Sequence, residues 1–94
     1  AATELEAARA LVYDTVWRLS QGEYPVDAIS RAKKFAAQVA NRLTDACLQI
    51  HGGAGYMHEF PVSRAYRDLR LHRIGAGTDE IMNEVIAKRL GLYP

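Results

Sequence analysis

The chain has 94 residues, 49% of them hydrophobic, with 12 basic and 11 acidic side chains for a formal net charge of +1. A length of this order makes one domain that buries about two-thirds of its unfolded surface, a modest core that gains from a partner chain. The near-balance of charge excludes a global field for nucleic acid or an anionic membrane surface, and no apolar run approaches the ~20 residues of a membrane span.

Four segments carry helical period and none alternates as a strand would. The first is expected from about Thr3 to Ser20, with Leu5, Ala8, Val12, Val16 and Leu19 on one face. Thr3 and Glu6 have capping-box spacing, and Gln21-Gly22-Glu23-Tyr24-Pro25 ends the helix. The second, Asp27 to Ile50, keeps its period through Ile29, Ala32, Ala36, Val39, Leu43, Ala46 and Ile50. Its alanines let a neighbouring helix pack close. Arg31, Lys33, Lys34, Gln38 and Arg42 lie mostly off that face and are expected in solvent, and Gly52 and Gly53 stop the helix. Pro61 suits the first position of a short third helix reaching about Leu71. Thr78 is a good N-cap for a fourth, with Asp79 and Glu80 favoured in its first turn. Ile81, Val85, Ala87 and Leu90 then supply apolar surface before Gly91. The fold class is all-α, an antiparallel helical bundle of about four helices in a single domain over 1–94.

Two glycine-bearing stretches interrupt these helices. In LQIHGGAGY, Gln49 can donate and accept while Gly52 and Gly53 offer main-chain N–H groups without a Cβ in the way. A plain helix cap with a tight turn accounts for the same glycines. GGAG follows a helix, so it is not the strand-borne dinucleotide fingerprint. In IGAGTDEI, the small residues 75–77 let a bulky group lie against the backbone where the fourth helix begins, a place suited to phosphate or a polarised carbonyl. A loop plus an N-cap is again the simpler alternative. Together the two turns read as one surface for an anionic cofactor.

Other signals are weaker. Arg64, Arg67, Arg70 and Arg73 rotate around a helix rather than forming a stripe, so no nucleic-acid partner is expected, and Arg64 and Asp68 read as a surface pair. Cys47 and His51 are two groups of the four a zinc site needs, so no metal is expected. Cys47 itself reads as a buried thiol in a reducing compartment. Trp17, Phe35 and Phe60 read as core or interface residues. No basic-then-apolar leader opens the chain, and the start Ala1-Ala2-Thr3, already helical in pattern, fits a piece of a longer protein.

LQIHGGAGY, FPVSRAYRDLRLHRIGAGTDEI and the closing IAKRL, in that order, closely resemble the C-terminal helical domain of the acyl-CoA dehydrogenases, and the upstream helices fit it too. The resemblance covers nearly all of the chain. It implies that Gln49, Ile50, His51, Gly52 and Gly53 touch FAD held mainly by a neighbouring subunit. Thr78, Asp79 and Glu80 would contact the flavin nucleotide from the other side, and Ala76 and Gly77 would lie beside the acyl-CoA thioester. It also implies a homotetramer or dimer, an electron-transfer flavoprotein as redox partner, and a bacterial cytoplasm or mitochondrial matrix.

One departure from the family pattern matters. Most members carry at position 76 the glutamate that removes the α-proton, and here it is alanine. Ile-Gly-Ala-Gly-Thr is similar to the isovaleryl-CoA branch and Asp-Glu-Ile-Met-Asn-Glu to the long-chain branch, where the base comes from an earlier helix. Asp79 and Glu80 open a helix, where the dipole favours the anion, and Glu59 sits in a polar turn, so none of them is expected to replace it. The resemblance therefore implies a catalytic domain fragment that is inactive alone and binds FAD weakly or not at all. The alternative is a cofactor-free helical association module.

Overall fold

The computed structural model describes residues 1–92. In chain order it contains α1 (Ala2–Ser20), α2 (Val26–His51), a 3₁₀ turn (Gly52–Tyr56), α3 (Pro61–Arg70), a second 3₁₀ turn (Leu71–Arg73) and α4 (Asp79–Arg89). The all-α expectation holds among the described residues, with helix ends within a residue or two of those expected. Tyr93 lies outside the described residues.

Helix ends follow local chemistry. Gly22 takes a positive φ of 87°, and the bonds from Gly22 N to Leu19 O and Glu23 N to Arg18 O close α1 in a Schellman motif. Gly91 closes α4 in the same way, through Gly91 N to Lys88 O and Leu92 N to Ala87 O. Pro61 takes the first position of α3, and Thr78 Oγ1 accepts from Ile81 N at 3.1 Å as the N-cap of α4. The expected Thr3–Glu6 capping box does not form. The helix extends back so that Ala1 O accepts from Leu5 N, and Glu6 lies 3.7 Å from Arg9 instead.

Each of the other helices packs against α2. Stepping about 100° per residue, buried Ala28, Ala32 and Val39 fall on one side of α2, and buried Ser30 and Ala37 fall on the opposite side. Residues of α1, including Leu5, Ala8 and Val12, meet α2 around Ala36, Val39 and Ala40, and α3 and α4 meet the other side.

This arrangement corrects the expectation that the polar residues of α2 are merely solvated. Lys33 Nζ donates to Gly77 O, Lys34 Nζ to Asn83 Oδ1, and Gln38 Nε2 to Asp79 Oδ2 at 3.4 Å. Asn41 Nδ2 donates to Leu69 O at 3.0 Å, and Arg42 reaches Glu4 of α1 at 2.6 Å. The carbonyls of Leu69 and Gly77, the amide oxygen of Asn83 and the carboxylates of Glu4 and Asp79 are acceptors on neighbouring elements, and these side chains pair with them. Arg31 stays local, 3.9 Å from Asp27.

The last turns of α2 differ from expectation as well. Ala46 and Cys47 are exposed, and Ile50 is 84% exposed. No neighbouring helix reaches that side of the helix end, so the Cys47 thiol is not buried. Trp17 of α1 is 60% exposed, which leaves it an interface rather than a core side chain in this chain. Arg64 donates to the His58 carbonyl at 2.8 Å rather than pairing with Asp68, because that carbonyl lies just ahead of α3.

The result is elongated. The principal extents are 48 × 28 × 19 Å and the radius of gyration is 15.6 Å, against about 12 Å for a compact domain of this length. Its accessible surface of 6585 Å² exceeds by roughly 1,200 Å² what a compact monomer of this mass exposes. That excess is comparable with the total area of a small stable protein–protein interface, about 1,200 Å². By light scattering at high concentration and without cofactor, the chain is expected to run as a dimer or larger. A strict monomer would show that the uncovered faces do not self-associate.

Candidate functional site

The first glycine turn ends α2. Gln49 and Ile50 are exposed on its last turn, and His51 Nδ1 donates to the Cys47 carbonyl at 2.7 Å while its ring meets Phe60 edge-on at 6.5 Å. Gly52 has φ 63° and its N–H bonds back to Gln49 O, so this donor serves the cap and does not face outward as expected. Gly53 is exposed, and a Cβ built on it or on Gly52 meets no atom within 4 Å. Both leave room for a group to approach the main chain. Gly55 answers a different need. It is buried, and a Cβ there would lie 2.6 Å from Leu48 O.

Beside this turn runs a cleft of about 640 Å³ between the end of α2 and α3, lined among others by Leu48, Gly55, Tyr56, Arg64, Arg67 and Arg70. The sequence reading missed it. Arginines three apart drift around a long helix, but on a helix of only 10 residues Arg64, Arg67 and Arg70 remain beside one cleft. Asp45 and Asp68 line the same cleft and offset part of that charge.

The second turn links α3 to α4. Gly75 N bonds to Leu71 O at 2.7 Å, another donor turned inward. Ala76 is exposed and adopts φ 56°, and Gly77 follows at φ 104°. A Cβ on Gly77 would stand 2.6 Å from Met82 Cε, the movable tip of that side chain, so it is the backbone conformation at φ 104° that calls for glycine there. Glu80 is exposed. Asp79 is the reverse case: it is 6% exposed, with Oδ2 2.6 Å from Arg73 Nε. Burial pushes its carboxyl up, but the Arg73 and Gln38 hydrogen bonds and the charges of Arg73 and Lys33 outweigh it and hold the group below its ordinary value. Asp79 Oδ1 is buried without a hydrogen-bond partner.

Thr78, Ala76, Gly77, Asp79 and Glu80 therefore share one site, and Gln49, Ile50, His51, Gly52 and Gly53 share another. The two do not adjoin. Gly77 is held by Lys33, which stands 19 residues before Gly52 on α2, about 28 Å along the helix axis. The expectation of one continuous surface fails because the uninterrupted helix α2 separates the two turns. Among the described residues no group of His, Cys, Asp and Glu is arranged for a metal ion.

Comparison with known proteins follows the same pattern. The family described as "Acyl-CoA dehydrogenase, C-terminal domain" matches residues 1–91. The chain is 42% identical over 88 residues to 3-(aryl)acrylate reductase of Clostridium sporogenes, covering 94% of this chain and 23% of that protein. It is 48% identical over 63 residues to the mitochondrial long-chain specific acyl-CoA dehydrogenase of Sus scrofa, covering 67% of this chain and 15% of the relative. The solved butyryl-CoA dehydrogenase of Megasphaera elsdenii superposes with a TM-score of 0.91 at 37% identity, over 95% of this chain and 23% of that one. The chain thus spans about a quarter or less of the length of these relatives.

Two substitutions separate structural from ligand-facing roles in the first turn. Gly55→Ala should destabilise the fold by roughly 1–3 kcal/mol through overpacking, whereas Gly53→Ala should stay within about 0.5 kcal/mol of wild type. Urea unfolding measures both, and equal effects would contradict the geometry. For Asp79→Asn the expected loss is roughly 1–3 kcal/mol near neutral pH. A carboxyl whose folded pKa is depressed contributes fully above its unfolded value of about 3.9. That contribution is lost as pH falls through the folded value. The stabilities of wild type and Asp79→Asn should therefore converge in acid.

Proposed function

The chain belongs to the acyl-CoA dehydrogenase family as its C-terminal helical domain, and on that footing we propose that it forms the cofactor- and substrate-contacting, oligomerising part of an FAD-dependent acyl-CoA dehydrogenase. The parent reaction is α,β-dehydrogenation of an acyl-CoA thioester. FAD supplies the hydride acceptor, and an electron-transfer flavoprotein reoxidises it. The observation that carries this reading is the pair of turns at the positions the family motif assigns to ligand contact, the first with open space over Gly52 and Gly53 and the second with Ala76 exposed on a left-handed backbone.

The residues fit such a role in part. Open space over Gly52 and Gly53 admits a flat group or phosphate against the backbone, with Gln49, Ile50 and His51 at its edge. Thr78, Asp79 and Glu80 open α4, whose N-terminal dipole favours an anion or a polarised carbonyl oxygen. Ala76, exposed, and Gly77 beside it would border the thioester. A separation of about 28 Å makes these two half-sites, each needing a wall from elsewhere, which fits FAD shared between subunits of a dimer or tetramer. Proton removal is not supplied here. Ala76 carries no carboxylate, Glu59 and Glu80 are exposed, and Asp79 is tied to Arg73. The base then belongs to a part of the longer enzyme outside these 94 residues, as in the isovaleryl-CoA and long-chain branches. The exposed Cys47 thiol fits a reducing compartment, a bacterial cytoplasm or mitochondrial matrix.

A second reading, a cofactor-free helical association module, is favoured by the excess exposed surface, including Tyr13, Val16 and Trp17 of α1.

A hybrid enzyme tests the first reading. The matching segment of an acyl-CoA dehydrogenase that carries the glutamate at the position of Ala76 is replaced by this chain. The hybrid is expected to retain about one FAD per chain, to lose about 10²–10⁴ in turnover, and to recover it with Ala76→Glu. The chain alone should not quench low-micromolar FAD stoichiometrically. A folded hybrid without flavin would leave only the association module.

A further inference from the structure

We propose that Lys33 and the Arg73–Asp79–Gln38 cluster are positioning residues for the Gly75–Thr78 turn, holding it so that the left-handed backbone at Ala76 and Gly77 faces outward. The inference deepens the proposed function and rests on it for what the turn confronts, an acyl thioester. The geometry of the turn does not depend on that reading.

Three elements converge on this turn. Lys33, from the middle of α2, donates to the Gly77 carbonyl. Asp79, the first residue of α4, is buried and receives Arg73 at 2.6 Å and Gln38 at 3.4 Å. Arg73 ends the 3₁₀ turn just before the loop, so the Arg73–Asp79 pair closes the loop across its own base. Met82 packs over Gly77 from inside. Four restraints thus act on the inner side, and the exposed Ala76 side chain takes part in none of them. A non-glycine residue at φ 56° needs such restraint, because the left-handed region is unfavourable for it. Lys33 acts on the Gly77 carbonyl, and Asp79 has its Oδ2 taken by Arg73 and Gln38. These groups act through the main chain of residues 76–78.

Amide hydrogen exchange on the 94-residue chain, without cofactor, is the test. Lys33→Met should speed exchange at Gly75 and Ile81 at least about tenfold, leave the Val39 amide within about twofold, and shift the Ala76 and Gly77 resonances. Lys33→Arg should restore the wild-type pattern, and Lys34→Met, which removes the hydrogen bond to Asn83 Oδ1, should leave the turn unchanged. If Lys33→Met unfolds the chain, Arg73→Met is read in the same way. Unchanged exchange at the turn, or equal acceleration at Val39, overturns the proposal. Because no flavin is present, that outcome is separate from failure of the hybrid to hold FAD.

Discussion

Everything in this molecule hangs on α2 being clamped from two opposite sides. On the side of α2 that meets α1, Ala28, Ala32 and Val39 are buried, and Val39 is only 2% exposed. On the other side Ser30 and Ala37 are small enough to bring the later helices near, but polar side chains make the attachment. Dispersion and burial are non-directional and would let α4 slide along α2. Hydrogen bonds from Lys33, Lys34 and Gln38 to defined atoms set where α4 begins. A modest core of alanines is thereby supplemented by tethers that fix register, and the loops between helices inherit their shape from those tethers.

The helices and their ends were legible in the sequence because they depend on local chemistry. Period, Pro61, Thr78, Gly22 and Gly91 act within a few residues of themselves. What was not legible depends on partners distant in the chain. Lys33 and Gln38 look like ordinary solvated residues until α4, more than 40 residues later, is folded against them. The exposure of Cys47 and Ile50 likewise follows from where neighbouring helices stop. The Thr3–Glu6 spacing was a sound motif that lost to a helix start two residues earlier, capped at Ala1. Within the candidate site, residue identities could be read from the motifs. Their separation could not, since it is set by the length of α2 between Lys33 and Gly52.

That separation changes how the surface is understood. Each turn presents small residues outward and turns at least one N–H donor inward, from Gly52 and Gly75. The glycines therefore serve two different ends. Gly55 makes room for Leu48 inside the fold, while Gly52 and Gly53 leave room outside it. The body is elongated, the two turns lie at a distance from each other, and Tyr13, Val16 and Trp17 of α1 are uncovered.

Ala76 carries a last consequence. Its backbone is set by restraints on Gly77, Arg73 and Asp79 while its own side chain is exposed, so a change of side chain there disturbs little packing and the left-handed backbone is the remaining constraint. Such a spot behaves as an interchangeable socket: lineages can install a reactive group, remove it, or relocate it to another helix while the scaffold stays intact. Divergence in where an enzyme keeps its acid then requires no remodelling of the architecture, only a change at a position the architecture has left idle.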